Sequence, residues 1–121
     1  MKIFTAAIIV AVGLSGCNVV VAPNGVQPNA PNVQVYKFFG TVQCEPSSIT
    51  LTSVTDPLRK AGIKVASESC GTDGMMRPAM CGGGDGRIAI AEIPSNDLAK
   101  AASLGFEELS KKPDAQITKC R

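Results

Sequence analysis

The stretch VQVYKFFGTV at residues 33–42 decides the fold of this chain. It is rich in β-branched and aromatic residues, which predicts a β-strand. Its apolar residues fall on both alternating faces, which is typical of a central strand that is covered on more than one side. Cys44 follows just past the end of this predicted strand.

Two further strands are predicted at residues 63–69 and 87–93. The first alternates between apolar and polar positions, with Ile63 and Val65 on one face. The second places Ile88 and Ile90 inward. Residues 71–86 between them form a glycine-containing loop.

Residues 47–61 are compatible with two structures. A helix, kinked or straight, would begin at Ser53 or Asp56 as N-cap, tolerate Pro57 in its first turn, and end at Ala61 before Gly62. The alternative is a strand at 48–54 followed by one helical turn. The helix is the favoured prediction.

A second helix is predicted after Pro94. Ser95 is the predicted N-cap, and Gly105 is the predicted C′ residue, so that Phe106 folds back on Ala101. Residues 106–121 then form either a closing strand or a hairpin that turns at Lys112, Pro113 and Asp114.

The order of these elements predicts an α+β fold. We expect a small disulfide-braced sandwich, with one mainly antiparallel sheet and two helices on one face of that sheet. With 45% hydrophobic residues and no tryptophan, the predicted core is modest, and a domain of this size needs covalent support.

The N-terminus predicts export. Lys2 precedes an apolar run at residues 3–12, which is too short to span a bilayer. The following Leu14, Ser15, Gly16 and Cys17 resemble the lipobox of bacterial lipoproteins, in which the cysteine becomes the lipidated mature N-terminus, carrying fatty acids such as palmitate. The predicted organisation is therefore a lipoprotein signal peptide at 1–16, a lipidated Pro/Asn-rich tether at 17–32 and a periplasmic domain at 33–121.

Four cysteines remain after Cys17, and an exported chain with an even number of cysteines is expected to form disulfides. Their spacing lacks the close pairs that are typical of a four-thiolate metal site. Four cysteines allow three connectivities. The predicted topology favours Cys70–Cys81, closing the loop between two strands, and Cys44–Cys120, fixing the C-terminus.

No catalytic site is predicted. The chain has no histidine, which removes the usual base of serine and cysteine hydrolases, and its ten acidic residues form no pattern. The glycine run at 82–86 has no following Lys-Ser/Thr, so it is interpreted as a flexible loop and not as a phosphate-binding loop. A net charge of +2 argues against nucleic acid as a partner.

Met75, Met76 and Met80 cluster near Cys81 and allow two interpretations. Thioethers are soft ligands that suit Cu(I), a metal of the periplasm. The favoured interpretation is that they are adaptable hydrophobic residues that pack over a disulfide. We therefore predict no metal and no cofactor.

The chain also resembles the RcsF family of outer-membrane stress-sensor lipoproteins over roughly residues 14–90. The shared features are, in chain order, the lipobox, the proline-rich tether, VQVY at 33–36, Gly40 leading to Cys44, the strand ending at Ser69 and Cys70, GTDG at 71–74 and RPAMC at 77–81. A third family cysteine would fall near Met75, and the family's domain ends near residues 87–93. The resemblance implies a β/α sandwich with a disulfide equivalent to Cys70–Cys81.

The predicted function is a non-catalytic binding or structural role for a lipoprotein in the outer membrane, facing the periplasm. Asn18 follows the predicted lipidation site, and the resemblance to bacterial lipoproteins implies the outer membrane, because in that family an aspartate at this position favours retention in the inner membrane. The expected partners are the membrane, through the lipid anchor, and an envelope protein; no small-molecule substrate is inferred. The alternatives are an RcsF-like envelope-stress sensor that signals through a protein partner, and a copper-binding or enzymatic lipoprotein.

Overall fold

The computed structural model describes residues 30–121, and it has one five-stranded antiparallel sheet. Its strands are β1 (Asn32–Phe38), β2 (Ser67–Thr72), β3 (Arg87–Pro94), β4 (Glu107–Glu108) and β5 (Gln116–Thr118). They lie in the order β4-β1-β3-β2-β5. The predicted lipobox with Cys17 and the tether up to residue 29 lie outside the described residues.

The middle of the sheet is β3, which pairs with β1 along its whole length and with β2 on its other side. Its side chains are buried on both faces: Ile88 and Ile90 point to one face, and Ala89, Ala91 and Ile93 to the other. On β1, Val35 and Tyr36 are likewise buried on opposite faces. The predicted central character of the first strand is therefore confirmed, although β1 ends at Phe38, earlier than predicted.

Two helices, α1 (Leu51–Lys60) and α2 (Leu98–Ser103), cover one face of the sheet. Leu58 of α1 and Ala101 of α2 share a buried cluster with Val35, Ala91 and Ile93 of the sheet. This arrangement confirms the predicted α+β class with two helices on one face. Among residues 30–121, neither helix has the length and apolar character needed to cross a membrane.

The ambiguous segment at 47–61 forms a helix, and its cap is neither Ser53 nor Asp56. Thr50 is the N-cap: its hydroxyl accepts from the backbone N–H of Ser53 at 3.1 Å, and the Ser53 hydroxyl accepts from the Thr50 N–H at 3.0 Å. This reciprocal pair satisfies two donors of the first turn, so the helix begins upstream of the predicted caps. Pro57 lies inside the helix.

Both helices end in the same hydrogen-bonded motif, with a glycine of positive φ followed by a buried apolar residue. After α1, Ile63 N–H donates to the Leu58 carbonyl at 3.0 Å. After α2, Phe106 N–H donates to the Ala101 carbonyl at 3.1 Å, which confirms the predicted contact. Ile63 belongs to the motif that ends α1, so β2 begins at Ser67 and not at residue 63, where the strand was predicted to begin.

The second helix is shorter than predicted and starts differently. Residues Ser95–Asp97 form a 3₁₀ turn, and α2 follows from Leu98. The N-cap of the turn is Pro94 and that of α2 is Asp97, with no side-chain capping bond at either. The predicted Ser95 cap is therefore wrong.

The C-terminal segment is not a hairpin: it contains two short strands, β4 and β5, that are joined by a crossover. β4 and β5 lie at opposite edges of the sheet, and residues 109–115 cross its second face between them. Leu109 and Ala115 pack there against Tyr36, Ile88 and Ile90. The turn after Lys112 is present, since the Ala115 N–H donates to the Lys112 carbonyl at 3.0 Å.

Two disulfides are formed, as predicted, but the predicted pairing is wrong. Cys44 is bonded to Cys81 and Cys70 to Cys120, with Cα–Cα distances of 5.0 and 5.2 Å. β5 pairs with β2 and sets Thr118 opposite Cys70, which brings the nearby Cys120 within reach. Cys81 is instead drawn to Cys44, because a bridge between Val42 and Gly84 extends the pairing of β1 with β3.

Candidate functional site

The residues with the most unusual exposure lie on the loop that joins β2 to β3. We call residues 73–86 the methionine loop. It lies at the end of the sheet where β1 finishes, opposite the end where the chain enters at Asn32. Since β1 has 7 residues, these two ends of the strand are about 20 Å apart.

Three methionine side chains project from this loop into solvent. Met75 is 58% exposed, Met76 is 99% exposed and Met80 is 60% exposed. The interpretation that they pack over a disulfide is therefore wrong for Met76, and the side chains of Met75 and Met80 are more than half exposed. Most exposed apolar side chains on a protein are scattered singly, whereas these three lie within six consecutive residues.

The loop is held in place by Gln43, which precedes Cys44. The Gln43 backbone N–H donates to the Gly83 carbonyl at 2.8 Å, and its own carbonyl accepts from Gly82 at 3.0 Å. Its side-chain amide donates to the Pro78 carbonyl at 3.1 Å and accepts from the Met80 N–H at 3.1 Å. The glycine run at 82–86 is thus joined to Gln43 by hydrogen bonds, and its flexibility stays a prediction.

Two carboxylates fix the ends of the loop. Asp73 is 3% exposed, forms an ion pair with Arg77 and accepts the Met75 N–H at 3.1 Å. At the other end, Asp85 accepts the Thr41 hydroxyl at 2.6 Å and the Arg87 N–H at 3.0 Å. Both carboxylates are therefore engaged in holding the loop.

The Cys44–Cys81 disulfide joins the methionine loop to the segment that follows β1, at the surface. Both cysteines are exposed, whereas Cys70 of the other disulfide is 4% exposed and packs with Phe39 and Ala89. Cys44 has a φ of 69°, and no other non-glycine residue of the described chain has a positive φ. That conformation is strained for a residue with a side chain.

A cationic cleft lies beside the loop. Its volume is about 410 Å³, and Arg87, Lys119 and Arg121 line it together with Asp85. The Arg87 guanidinium lies 4.7 Å from the centre of the Phe39 ring. In residues 30–121, none of the three cations forms an ion pair with a carboxylate.

The groups with shifted pKa values lie away from the loop tip and support the fold. Burial would raise the pKa of Glu68, but hydrogen bonds from Thr55 and Arg59 outweigh this effect and lower it. Burial raises the pKa of Tyr36, and its hydrogen bond to Glu107 at 3.0 Å raises it further. Thr55 is fully buried between Glu68 and its own helix, and its hydroxyl donates to the Glu68 carboxylate at 2.5 Å.

The four cysteines predicted to form disulfides are all engaged in them, and the predicted lipidation site, Cys17, lies outside the described residues. Within residues 30–121, no three His, Cys, Asp or Glu side chains are placed to hold a metal.

The supporting roles of Gln43 and Asp73 were missed from the sequence. The Asp73-Gly74 pair is a turn signal that could have revealed the role of Asp73.

Comparisons with known proteins identify no relative. No protein family, no curated protein and no solved structure matches the chain.

Proposed function

We propose that this protein is an outer-membrane lipoprotein with a non-catalytic binding role in the periplasm, and that the methionine loop contacts an envelope protein. The observation that carries the proposal is the exposure of Met75, Met76 and Met80 on a loop that is otherwise tightly held. Methionine side chains are unbranched and polarisable, and they adapt to apolar surfaces of varied shape.

The backbone of the methionine loop is held in place before any partner binds, and this favours binding. Residues around Gln43, Asp73 and Asp85 already fix the loop in the free protein. Because little backbone freedom is then lost on association, more of the apolar contact energy remains as affinity. The side chains keep their rotamer freedom and supply the adaptability.

The neighbouring charges indicate the chemistry of the partner. Arg87, Lys119 and Arg121 line the cleft beside the loop without carboxylate partners in the described chain. The partner surface expected here is an apolar groove with an acidic rim, because such a surface complements both features.

The proposed compartment is supported by the disulfides. Both bonds are formed in a small domain, which is typical of proteins in an oxidising environment. The proposed anchor is the lipid on Cys17, and two acyl chains or more give stable attachment to a membrane. The anchor is tested by Cys17→Ala: this variant should lose palmitate labelling and leave the membrane fraction, and unchanged labelling and fractionation would refute the lipobox.

Partner binding is tested by photo-crosslinking in cells. A photoreactive amino acid at Met76, which is 99% exposed, should capture a specific envelope protein. The matched control is the same amino acid at Ile117, which is 65% exposed on β5. A probe at Glu45 should capture the same protein while the three methionines are present. This capture should be lost when the three methionines are changed to Gln.

Identical capture from positions 76 and 117, or capture that survives the triple Gln substitution, would contradict the proposed surface. The triple variant should keep the stability of the wild type, since the three side chains are exposed. Its urea unfolding curve therefore separates lost binding from lost folding.

Copper binding is the second candidate, because three thioethers project from one loop and Cu(I) favours such ligands. Competition with a Cu(I) chelator should then show one bound ion that the triple Gln substitution removes. The resemblance to the RcsF family implies a Cys70–Cys81 disulfide, but Cys70 is bonded to Cys120. No observation therefore favours the RcsF-like sensor over these two roles.

A further inference from the structure

The two disulfides differ in the burial of their cysteines. Cys44 and Cys81 are both exposed. Cys70 is 4% exposed and belongs to a core cluster with Phe39 and Ala89. Cys120, the partner of Cys70, is exposed, but attack on its sulfur would expel the Cys70 thiolate into that apolar cluster, where a thiolate is a poor leaving group. In the first bond both cysteines are exposed, so either one can be attacked and either one released in the folded state.

The backbone adds a second difference. Cys44 adopts a φ of 69°, whereas the other three disulfide cysteines have negative φ values. Strained and exposed disulfides are the ones that act as labile bonds.

The segments that this bond joins are also held together by other contacts. The two segments that it joins remain connected by the backbone bonds of Gln43 to Gly82 and Gly83 and by the bridge between Val42 and Gly84. Neither cysteine contributes to a buried cluster. The reduced cysteines would therefore stay close together and could reform the bond.

We propose that Cys44–Cys81 is a thiol-exchange site on which a dithiol oxidoreductase acts, while Cys70–Cys120 stays closed. A thiolate of the reductant attacks one sulfur, forms a mixed disulfide and releases the other cysteine as a thiolate. The second thiol of the reductant then displaces the first cysteine. The protein gains two electrons and two protons as two thiols, and the reductant is left with the disulfide.

Met80 directly precedes Cys81, and its exposed side chain offers apolar surface next to this bond, on which a reductant can dock. The inference does not depend on the proposed lipid anchor or on the identity of the envelope partner.

The first test is timed reduction of the folded protein by dithiothreitol, followed by alkylation and mass mapping. The Cys44–Cys81 bond should be reduced at least about tenfold faster than Cys70–Cys120, which serves as the control within the same molecule. Amide spectra of the half-reduced protein should keep the dispersion of the folded state. Equal rates, or loss of both bonds together with unfolding, would overturn the proposal.

The second test traps the exchange partner. A thioredoxin-like protein whose resolving cysteine is changed to Ser should form a mixed disulfide with Cys44 or Cys81. The variant Cys44→Ser/Cys81→Ser, checked for folding by its amide spectrum, should form none. A conjugate at Cys70 or Cys120, no conjugate with the wild type, or a conjugate with the double variant would each overturn the assignment.

Discussion

Asp73 is the residue on which the conformation of the methionine loop most depends. Its carboxylate is 3% exposed, is paired with Arg77 and caps the Met75 N–H. Removing one partner of a buried charged pair is costly, because the other group keeps its desolvation penalty without compensation.

We expect Asp73→Asn to lower the free energy of unfolding by about 1–3 kcal/mol. The control is Asp56→Asn, which breaks the exposed helical pair with Lys60 at 3.0 Å and should cost less than about 0.5 kcal/mol. Urea unfolding of both variants measures the difference. Equal losses would mean that the Asp73 pair does not hold the loop.

Glu68 makes the stability depend on pH. Burial opposes its charge, but the bonds from Thr55 at 2.5 Å and from Arg59 at 2.9 Å lower its pKa below the ordinary 4.5. A group with a lowered pKa in the folded state stabilises the fold fully above its unfolded pKa and loses this contribution as the pH falls.

The stability difference between the wild type and Glu68→Gln should therefore be largest above pH 4.5 and should shrink as the pH is lowered through the folded pKa. Thermal unfolding between about pH 3 and pH 6 measures it. The exposed Glu45→Gln variant is the control. A constant difference across this range would refute the role assigned to Glu68.

At the scale of elements, Gly62 and Gly74 both have a positive φ but differ in the space around them. Gly62 ends α1 at a φ of 82°, with no atom near the position that a Cβ would occupy. Gly74 has a φ of 74°, and a Cβ there would lie 1.9 Å from the Asp114 carbonyl oxygen of the crossover segment.

Gly62→Ala should cost about 1–2 kcal/mol, from the left-handed conformation alone. Gly74→Ala carries the same conformational cost and should lose about 1–3 kcal/mol more, because the crossover must move. Chemical denaturation of the two variants isolates the packing contribution. A similar loss of unfolding free energy in both variants would show that residues 109–115 do not pack against the methionine loop.

The two disulfides can be compared in the same way. They close loops with sequence separations of 37 and 50 residues, for which chain entropy alone predicts a nearly equal stabilisation of about 4 kcal/mol each. Cys70 is also buried, so Cys70→Ala/Cys120→Ala should cost about 1 kcal/mol more than Cys44→Ala/Cys81→Ala.

Urea unfolding of the two double variants measures this difference. A larger loss for the Cys44/Cys81 pair would contradict the assignment of Cys70–Cys120 as the bond that braces the core.

At the scale of the whole molecule, the connectivity predicts a distinctive peptide map. Trypsin does not cleave well at Arg77-Pro78, so Cys70 and Cys81 stay on one peptide, residues 65–87. With the observed pairing, that peptide is linked to both 38–59 and 120–121 in a single species. Cyanogen bromide cleavage after Met80 should then separate Cys70 with 120–121 from Cys81 with 38–59.

A separate peptide with an internal Cys70–Cys81 bond would instead support the pairing that the sequence suggested. The map must be made without reduction and after alkylation of any free thiol, so that thiol exchange at Cys44–Cys81 does not scramble the bonds.

What the sequence by itself determined is local. The strand pattern at 33–42, the position of the first helix, and the glycines that end both helices depend on neighbouring residues, so they could be predicted. The α+β class followed from the order of these elements. The capping role of Thr50 was also encoded locally, in its spacing from Ser53, and was missed.

The disulfide pairing, the crossover and the exposure of the methionines were decided only by the tertiary structure. β4 and β5 are separated by a few residues yet pair at opposite edges of the sheet, and this choice carries Cys120 to Cys70. Which distant chain segments meet depends on how the whole sheet buries its two faces, and no local pattern contains that information. The same holds for Met76, because the exposure of an apolar side chain depends on whether any other part of the fold reaches it.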